Sequence, residues 1–436
     1  MTAEIAILNK HGIALASDSA VTMSGDKIKT SANKLFALSK FHPVGIMIFG
    51  NAELMGIPWE TIIKIYRIKL GKKKFEQLNG YAEDFLKFLD CGNPLFPDSV
   101  QEEFLLTTVY YHLYYIEEEI EKEVNSVILE NDKITQKEAK KIISTIIKKH
   151  YEEWKNAEFI SSIPKNHTND IIEKYGEKID EAIDEVFQNL PIYKRHFAHL
   201  KEIAANLFSK FHILSDHFSG IVIAGFGEKD VFPSIKAYAI EGMVLNKLKY
   251  TEYSTDEVNF KTNAYIISFA QDEMVVTFME GIDPYYRKLE EDYLNEIFSE
   301  YVDFVTDNLT KYDAKDKIAF NKILDKISHE ILTDYREKLE RYRKEVNADS
   351  IINVVSMLPK DELAAMAEAL VNLTSFKRKV SMQTETVGGP IDVAVISKGD
   401  GFIWIKRKHY FKPDLNPQYF SNYYREEIEN GEESEN

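Results

Sequence analysis

Strand-like and helix-like apolar patterns in this chain do not intermingle. They come in blocks. From Thr2 to Gly50, short apolar runs alternate with turn residues; from Ala52 to about His217 the apolar residues follow a helical period. Strand patterns return at Phe218–Ala224, Ser234–Ile240 and Ala264–Phe269. A second helical block covers Pro284–Val346, a further helix Asp361–Phe376, and strands close the chain at Ile391–Ser397 and Phe402–Arg407. The three strand groups are too short to stand alone, since a strand needs several neighbours and a covered face. They are therefore expected to combine into one strand system interrupted by helices, which is an α+β organisation.

The local chemistry supports this order. Glu4–Leu8 and Ile13–Ala16 flank Asn9-Lys10-His11-Gly12, a hairpin pattern. Lys34–Ser39 and Val44–Phe49 flank Phe41-His42-Pro43, where Pro43 suits a turn because it cannot donate to a ladder. Leu54, Ile57, Ile62, Ile65 and Tyr66 lie near a 3.6-residue period, as do the apolar positions of Phe104–Val124, Lys137–Trp154 and Ile171–Phe187. Ile323, Ile327, Ile331 and Leu332 form an apolar stripe, expected to pack into a core or against another helix. The tail 411–436, acidic from Arg425 onward, lacks aliphatic periodicity and is expected to have no fixed structure.

Composition excludes several classes. At 436 residues the chain can bury a large core without a disulfide or metal staple. Its one cysteine, Cys91, allows no intrachain disulfide and fits a reducing compartment. A net charge of −17 repels phosphate backbones, so nucleic acid is not an expected partner. The start MTAEIAILNKHG has no basic segment followed by a long apolar one, and no run of 18 apolar residues occurs. Neither a signal peptide nor a membrane partner is expected, and the default location is the cytoplasm. Scattered histidines without an HExxH pattern make a metal site unexpected. Gly225-Phe226-Gly227 lacks the third glycine of a dinucleotide fingerprint, and no phosphate-binding P-loop is present, so no cofactor is expected.

The residues that carry chemistry begin at Thr2. Methionine is readily removed before a small residue, and removal of Met1 leaves a hydroxyl and a free α-amine on one residue. A threonine hydroxyl is a poor nucleophile without a base in reach, and the N-terminal amine is one recognised solution. Its unperturbed pKa of roughly 7.7–8.0 leaves it partly neutral near neutral pH. A nearby cation would lower that value further; Lys34 is the candidate. A carboxylate must hold the lysine, and Asp18, at the end of the second strand pattern, is the candidate.

These residues resemble a known family. In proteasome β-subunits and the bacterial HslV peptidase the processed chain starts with Thr, with Asp sixteen and Lys thirty-two residues later; Thr2, Asp18 and Lys34 reproduce both spacings without a gap. The chance of that joint match is roughly one or two in ten thousand at ordinary residue frequencies. The family also has a groove-lining threonine four residues after the Asp, where Thr22 stands. Gly50-Asn51-Ala52 resembles the turn whose glycine N–H points at the developing oxyanion, which makes Gly50 the oxyanion candidate. Ile221–Phe226 resembles the family's central strand, and Gly388-Gly389-Pro390 its Gly-Gly approach to a late strand. There are departures. Where the family supports the threonine amine with a second Asp and a Ser, ungapped alignment puts Thr384 and Val387, with Thr386, Glu385 or Ser381 as substitutes after a small shift. The family's other serine falls near Ser268, with Gln271 close by.

The resemblance implies a four-layer αββα sandwich of the N-terminal-nucleophile type, with residues 1–51, 218–283 and 377–410 as its core together with helix 361–376. Residues 52–217 and 284–360 are then helical insertions. It also implies a threonine-type peptidase or amidase that forms an acyl-enzyme on Thr2 and takes a peptide or protein substrate. A homo-oligomer, ring or smaller, is a possible assembly. Two other outcomes fit the same residues. One is a connectase-like peptide ligase, in which an amine resolves the acyl-enzyme. The other is an inactive member whose helices bind a partner.

Overall fold

The computed structural model describes residues 2–23, 27–29, 31–90, 92–211, 218–381 and 387–421, a mixture of helices and antiparallel strand pairs. The chain divides into two compact units. One is built from residues 1–35, 259–396 and 402–436, the other from 36–258 and 397–401.

The first unit contains a five-stranded sheet in the order Ala264–Ala270, Ala3–Asn9, Gly12–Ser17, Asp392–Ser397, Gly401–Lys406. Its centre is the N-terminal hairpin, in which Asn9 pairs with Gly12 across Lys10-His11. Every residue of Ala3–Asn9 and Gly12–Ser17 is buried. Strands covered on both faces read as near-continuous apolar runs, which is why these two look so in the sequence. Ala3, Ile5, Ile7, Ala14, Ala16, Val393 and Val395 pack with Leu363, Ala367, Leu370 and Val371 of the helix Lys360–Val380. Side chains alternate along a strand, so Thr2, Glu4, Ala6 and Leu8 point to the opposite face.

The other helices of this unit are Glu273–Glu280, Pro284–Asp307, Ala314–Tyr342 and Asp349–Val355, with a π-helical stretch at Arg343–Ala348. Pro284 opens its helix in the first turn, where its missing N–H costs nothing, and the Asp283 side chain accepts from the N–H groups of Tyr285 and Tyr286. Helices Pro284–Asp307 and Ala314–Tyr342 pack together, yet the expected stripe is only partly covered. Leu332 is buried, while Ile323, Ile327 and Ile331 are about half exposed, at 55%, 45% and 49%. A single partner helix covers a narrower strip than the stripe presents.

The second unit has a sheet in the order Lys247–Glu257, Ser234–Val244, Ser219–Gly225, Val44–Gly50, Leu35–Ala37. Ile46, Ile48, Ile221, Ile223 and Ile240 pack with Trp59, Ile62, Tyr66 and Phe85 of helices Trp59–Leu70 and Leu78–Leu89. A separate helical core joins Asp98–Asn131, Gln136–Asn156, His167–Val186 and Lys194–Asn206. Leu105, Val109, Leu113, Ile116 and Ile120 form the inward seam of the first of these, at helical spacing. The strand Lys247–Glu257 was not expected. It lies at the sheet edge, so Lys247, Thr251 and Glu252 need no apolar partners. The turn before it has Leu245 and Asn246 both at positive φ, 52° and 57°, which twists the hairpin correctly. Leucine in that role carries no turn signal.

Among the described residues no helix is long and apolar enough to cross a membrane. Pro413–Leu415 forms a single 3-10 turn; residues 422–436, with most of the acidic tail, lie outside the described residues.

The buried Asn9 ties the hairpin to the helical side. Its amide donates to the carbonyls of Val355 and Leu358 at 2.9 and 2.8 Å, and its Oδ1 accepts from the His11 N–H at 2.8 Å. Asn9→Ala leaves three backbone groups without these partners. It is expected to lower stability by roughly 2–4 kcal/mol, read as a lower urea midpoint.

Candidate functional site

The site starts from strand alternation. Thr2 and Glu4 are two residues apart on an extended segment and share one face. The Thr2 hydroxyl donates to Glu4 Oε2 at 2.8 Å, with Thr2 only 3% exposed and Glu4 fully buried. The backbone is held on both sides. Asp18 N–H donates to the Ala3 carbonyl at 3.2 Å, and Gln271 N–H donates to the Thr2 carbonyl at 3.2 Å.

Asp18 follows the second hairpin strand and turns its carboxylate back toward the first. Oδ1 accepts from Ala3 N–H at 3.3 Å; Oδ2 accepts from Ala20 N–H at 3.1 Å and Gly388 N–H at 2.9 Å. Lys34 Nζ donates to Oδ1 as well. The lysine arrives because Ala32 N–H donates to the Ser19 carbonyl at 3.1 Å, which lays the segment before Lys34 beside residue 19. Ser19 N–H in turn donates to the Gly388 carbonyl at 3.1 Å. The Gly388-Gly389-Pro390 segment thus clamps the Asp18 turn from the other side.

Lys34 also lies 3.2 Å from Glu4 Oε1. That oxygen has an ion contact but no aligned hydrogen bond. The contacts therefore run from Thr2 to Glu4 to Lys34 to Asp18, so the hydroxyl reaches the lysine through a carboxylate. Burial pushes the Glu4 carboxyl up from about 4.5 to about 7. The Lys34 charge and the Thr2 hydroxyl oppose this, and the Asp18 charge adds to it. A carboxylate with that value can exchange a proton near neutral pH.

The structure therefore brings Thr2, Asp18 and Lys34 together. Thr22 lies in the short strand Val21–Met23. Ser268 is a correction. It pairs with Ile5, so it shares the face that packs on helix Lys360–Val380 and points away from Thr2. Gln271, three residues on, is the residue of that strand end that meets Thr2, and its Oε1 accepts from Arg378 Nε at 2.6 Å. Thr384, Glu385 and Thr386 lie outside the described residues. Ser381 spends its hydroxyl on the Arg378 carbonyl at 3.1 Å. Gly50 belongs to the second unit. Its φ is +74°, and an added Cβ would meet the Phe218 carbonyl oxygen at 2.6 Å, so the backbone itself demands glycine there. Glu4 was missed by sequence reasoning. The signal was present in the i, i+2 spacing from Thr2, but Glu4 was absorbed into an apolar run.

Comparison with known proteins adds little. No family model matches the chain, and no curated protein matches it. Solved structures similar to it include Anbu (ancestral beta-subunit) from Yersinia bercovieri, at 10% identity and a TM-score of 0.27, covering 97% of this chain and 95% of that one. A Gly-1 mutant of Anbu from Hyphomicrobium sp. strain MC1 gives 9% and 0.27, covering 99% and 96%. The helical assembly of the Anbu complex from Pseudomonas aeruginosa gives 8% and 0.26, covering 98% and 96%. These findings correct the resemblance to proteasome β-subunits and HslV. The three structures named are Anbu proteins, and the likeness is too distant to carry an argument about function.

The Glu4 shift makes a stability prediction. Because the folded-state value lies above the unfolded one, the folded protein binds the extra proton between about pH 4.5 and 7. Stability from this group is present below that window and is lost as pH rises through it, by roughly 3 kcal/mol. Glu4→Gln, which stays neutral, is expected to unfold a few degrees above the unsubstituted protein at pH 8 and near it at pH 5. Thermal melts at the two pH values check this; an equal difference at both would contradict it.

Proposed function

We propose that this chain is an N-terminal threonine hydrolase, a peptidase or amidase that works through an acyl-enzyme on Thr2 after Met1 is removed. One observation carries the reading. The Thr2 hydroxyl is hydrogen-bonded to a carboxylate inside a buried cluster that also holds Lys34 and Asp18. An aligned hydroxyl beside a proton acceptor and a lysine is the arrangement that activates a weak oxygen nucleophile.

In this reading the Thr2 oxygen attacks an amide carbonyl and the carbon–nitrogen bond breaks. An ester forms on Thr2, and water resolves it to a free acid. Asp18 holds Lys34, whose charge favours the developing alkoxide. Thr22 is the proposed wall of the substrate groove. No step calls for a cofactor.

The test uses a β-lactone, which acylates an activated threonine without knowledge of the natural substrate. Protein expressed in its own host is expected to lack Met1 and to gain one lactone mass, mapped to Thr2 by peptide sequencing. Thr2→Ala should not be labelled, although its melting temperature should change little. Lys34→Met should slow labelling by at least a hundredfold. Labelling at another residue, or turnover of a peptide library by Thr2→Ala, would show the assignment to be wrong.

A further inference from the structure

We propose that Glu4, rather than the N-terminal amine, is the general base that takes the Thr2 hydroxyl proton and later returns it. This rests on the reading of Thr2 as the nucleophile. Three observations lead to it.

The first is contact. The hydroxyl already donates to Glu4 Oε2 at 2.8 Å, the distance at which a proton moves with the attacking oxygen. The second is the division of donors between the two carboxylates. Asp18 accepts from three backbone N–H groups and from Lys34. Glu4 accepts one hydroxyl and has an unaligned lysine 3.2 Å away. One ammonium cannot balance the charge of two buried carboxylates, and the one with fewer donors is the one that takes up a proton. The third is enclosure. Glu4 is fully buried, so its affinity for a proton is set by the protein and not by bulk water.

The surroundings of Glu4 are limited. Across the adjacent strands it faces Ser17 and Phe269. Among the described residues, the charged groups near it are Lys34 and Asp18. Asp392, opposite Ser17 one strand further, is paired with Lys408 at 2.5 Å. Arg378, from the helix behind, is held by Gln271 and lies 3.7 Å from Glu273. Burial raises the carboxyl to about 7, which keeps it a usable acceptor near neutral pH.

The proton accounting closes. As the Thr2 oxygen bonds to the carbonyl carbon, the carbonyl π pair moves to its oxygen and the hydroxyl proton passes to Glu4 Oε2. On collapse the carbon–nitrogen bond breaks and the leaving amine takes that proton. Water then attacks the ester, giving its proton to Glu4, which returns it to the Thr2 oxygen as the acid leaves.

The experiment follows the rate of β-lactone acylation from pH 5 to 9, by intact mass, for the processed protein and for Glu4→Gln. Glutamine keeps the size of Glu4 and an oxygen that can accept from Thr2, but it cannot take a proton at these pH values. The expected result is a rate that rises with pH to a plateau with its midpoint near 7. In Glu4→Gln the rate should fall at least a hundredfold and that midpoint should be lost. Acylation of Glu4→Gln at Thr2 within threefold of the unsubstituted rate, with the same midpoint, would overturn the proposal and return the role to the amine. As a check that needs no variant, the protein is labelled with 13C at glutamate carboxyls and titrated by NMR. One carboxyl is expected to titrate with the midpoint of the acylation rate; none doing so overturns the proposal. Failure of the underlying reading looks different, because there Thr2 is not acylated in the unsubstituted protein at any pH.

Discussion

The carboxylate of Asp18 is the anchor of the candidate site. It accepts from the backbone of Ala3, Ala20 and Gly388 and from the ammonium of Lys34. These donors come from the first strand, the turn after the second, the segment leading into a late strand and the approach to residue 35. Removing two charges from water costs several kcal/mol per ion, so a buried pair is tolerable only with such a donor set. The arrangement therefore joins distant parts of the chain. The hairpin start, the Lys34 segment and Gly388 must all be in place before the pair is satisfied.

Glu4 changes the character of that cluster. With Asp18 alone, Lys34 would form a balanced pair. A second buried carboxylate 3.2 Å from the lysine leaves the cluster one positive charge short when both acids are ionised. The protein therefore pays for Glu4 in stability as pH rises, and a chain selected only for stability would place a neutral residue there. Glu4 is costly to ionise because it shares one lysine with Asp18 inside the protein.

Much of the fold was legible in the sequence, for physical reasons that differ by element. The hairpin Ala3–Asn9 with Gly12–Ser17 was readable because every residue of both strands is buried and their apolar runs are near-continuous. The helix Asp98–Asn131 was readable from its spaced inward residues. The edge strand Lys247–Glu257 was not, since an edge exposed to water can carry lysine and glutamate without penalty. The Ile323, Ile327, Ile331 stripe was readable as helical but not as half exposed. Periodicity reports which residues share a face, whereas exposure depends on how much of that face a neighbour covers.

By itself the sequence determined the order of strand and helix blocks and the spacing that singled out Thr2, Asp18 and Lys34. Those are properties of local backbone preference and of position along the chain. Only the tertiary structure decided that Glu4 stands between Thr2 and Lys34, that Gly388 closes on Asp18, and that Ser268 faces away. Each depends on strand register and on donors brought from segments hundreds of residues apart, as Gly388 and Asp18 are. A one-residue change of register would exchange the two faces of the strand, placing Ser268 beside Glu4 and Phe269 on the helix side. No local pattern encodes that choice, because it is set by the sum of burial and hydrogen bonding across the whole sheet.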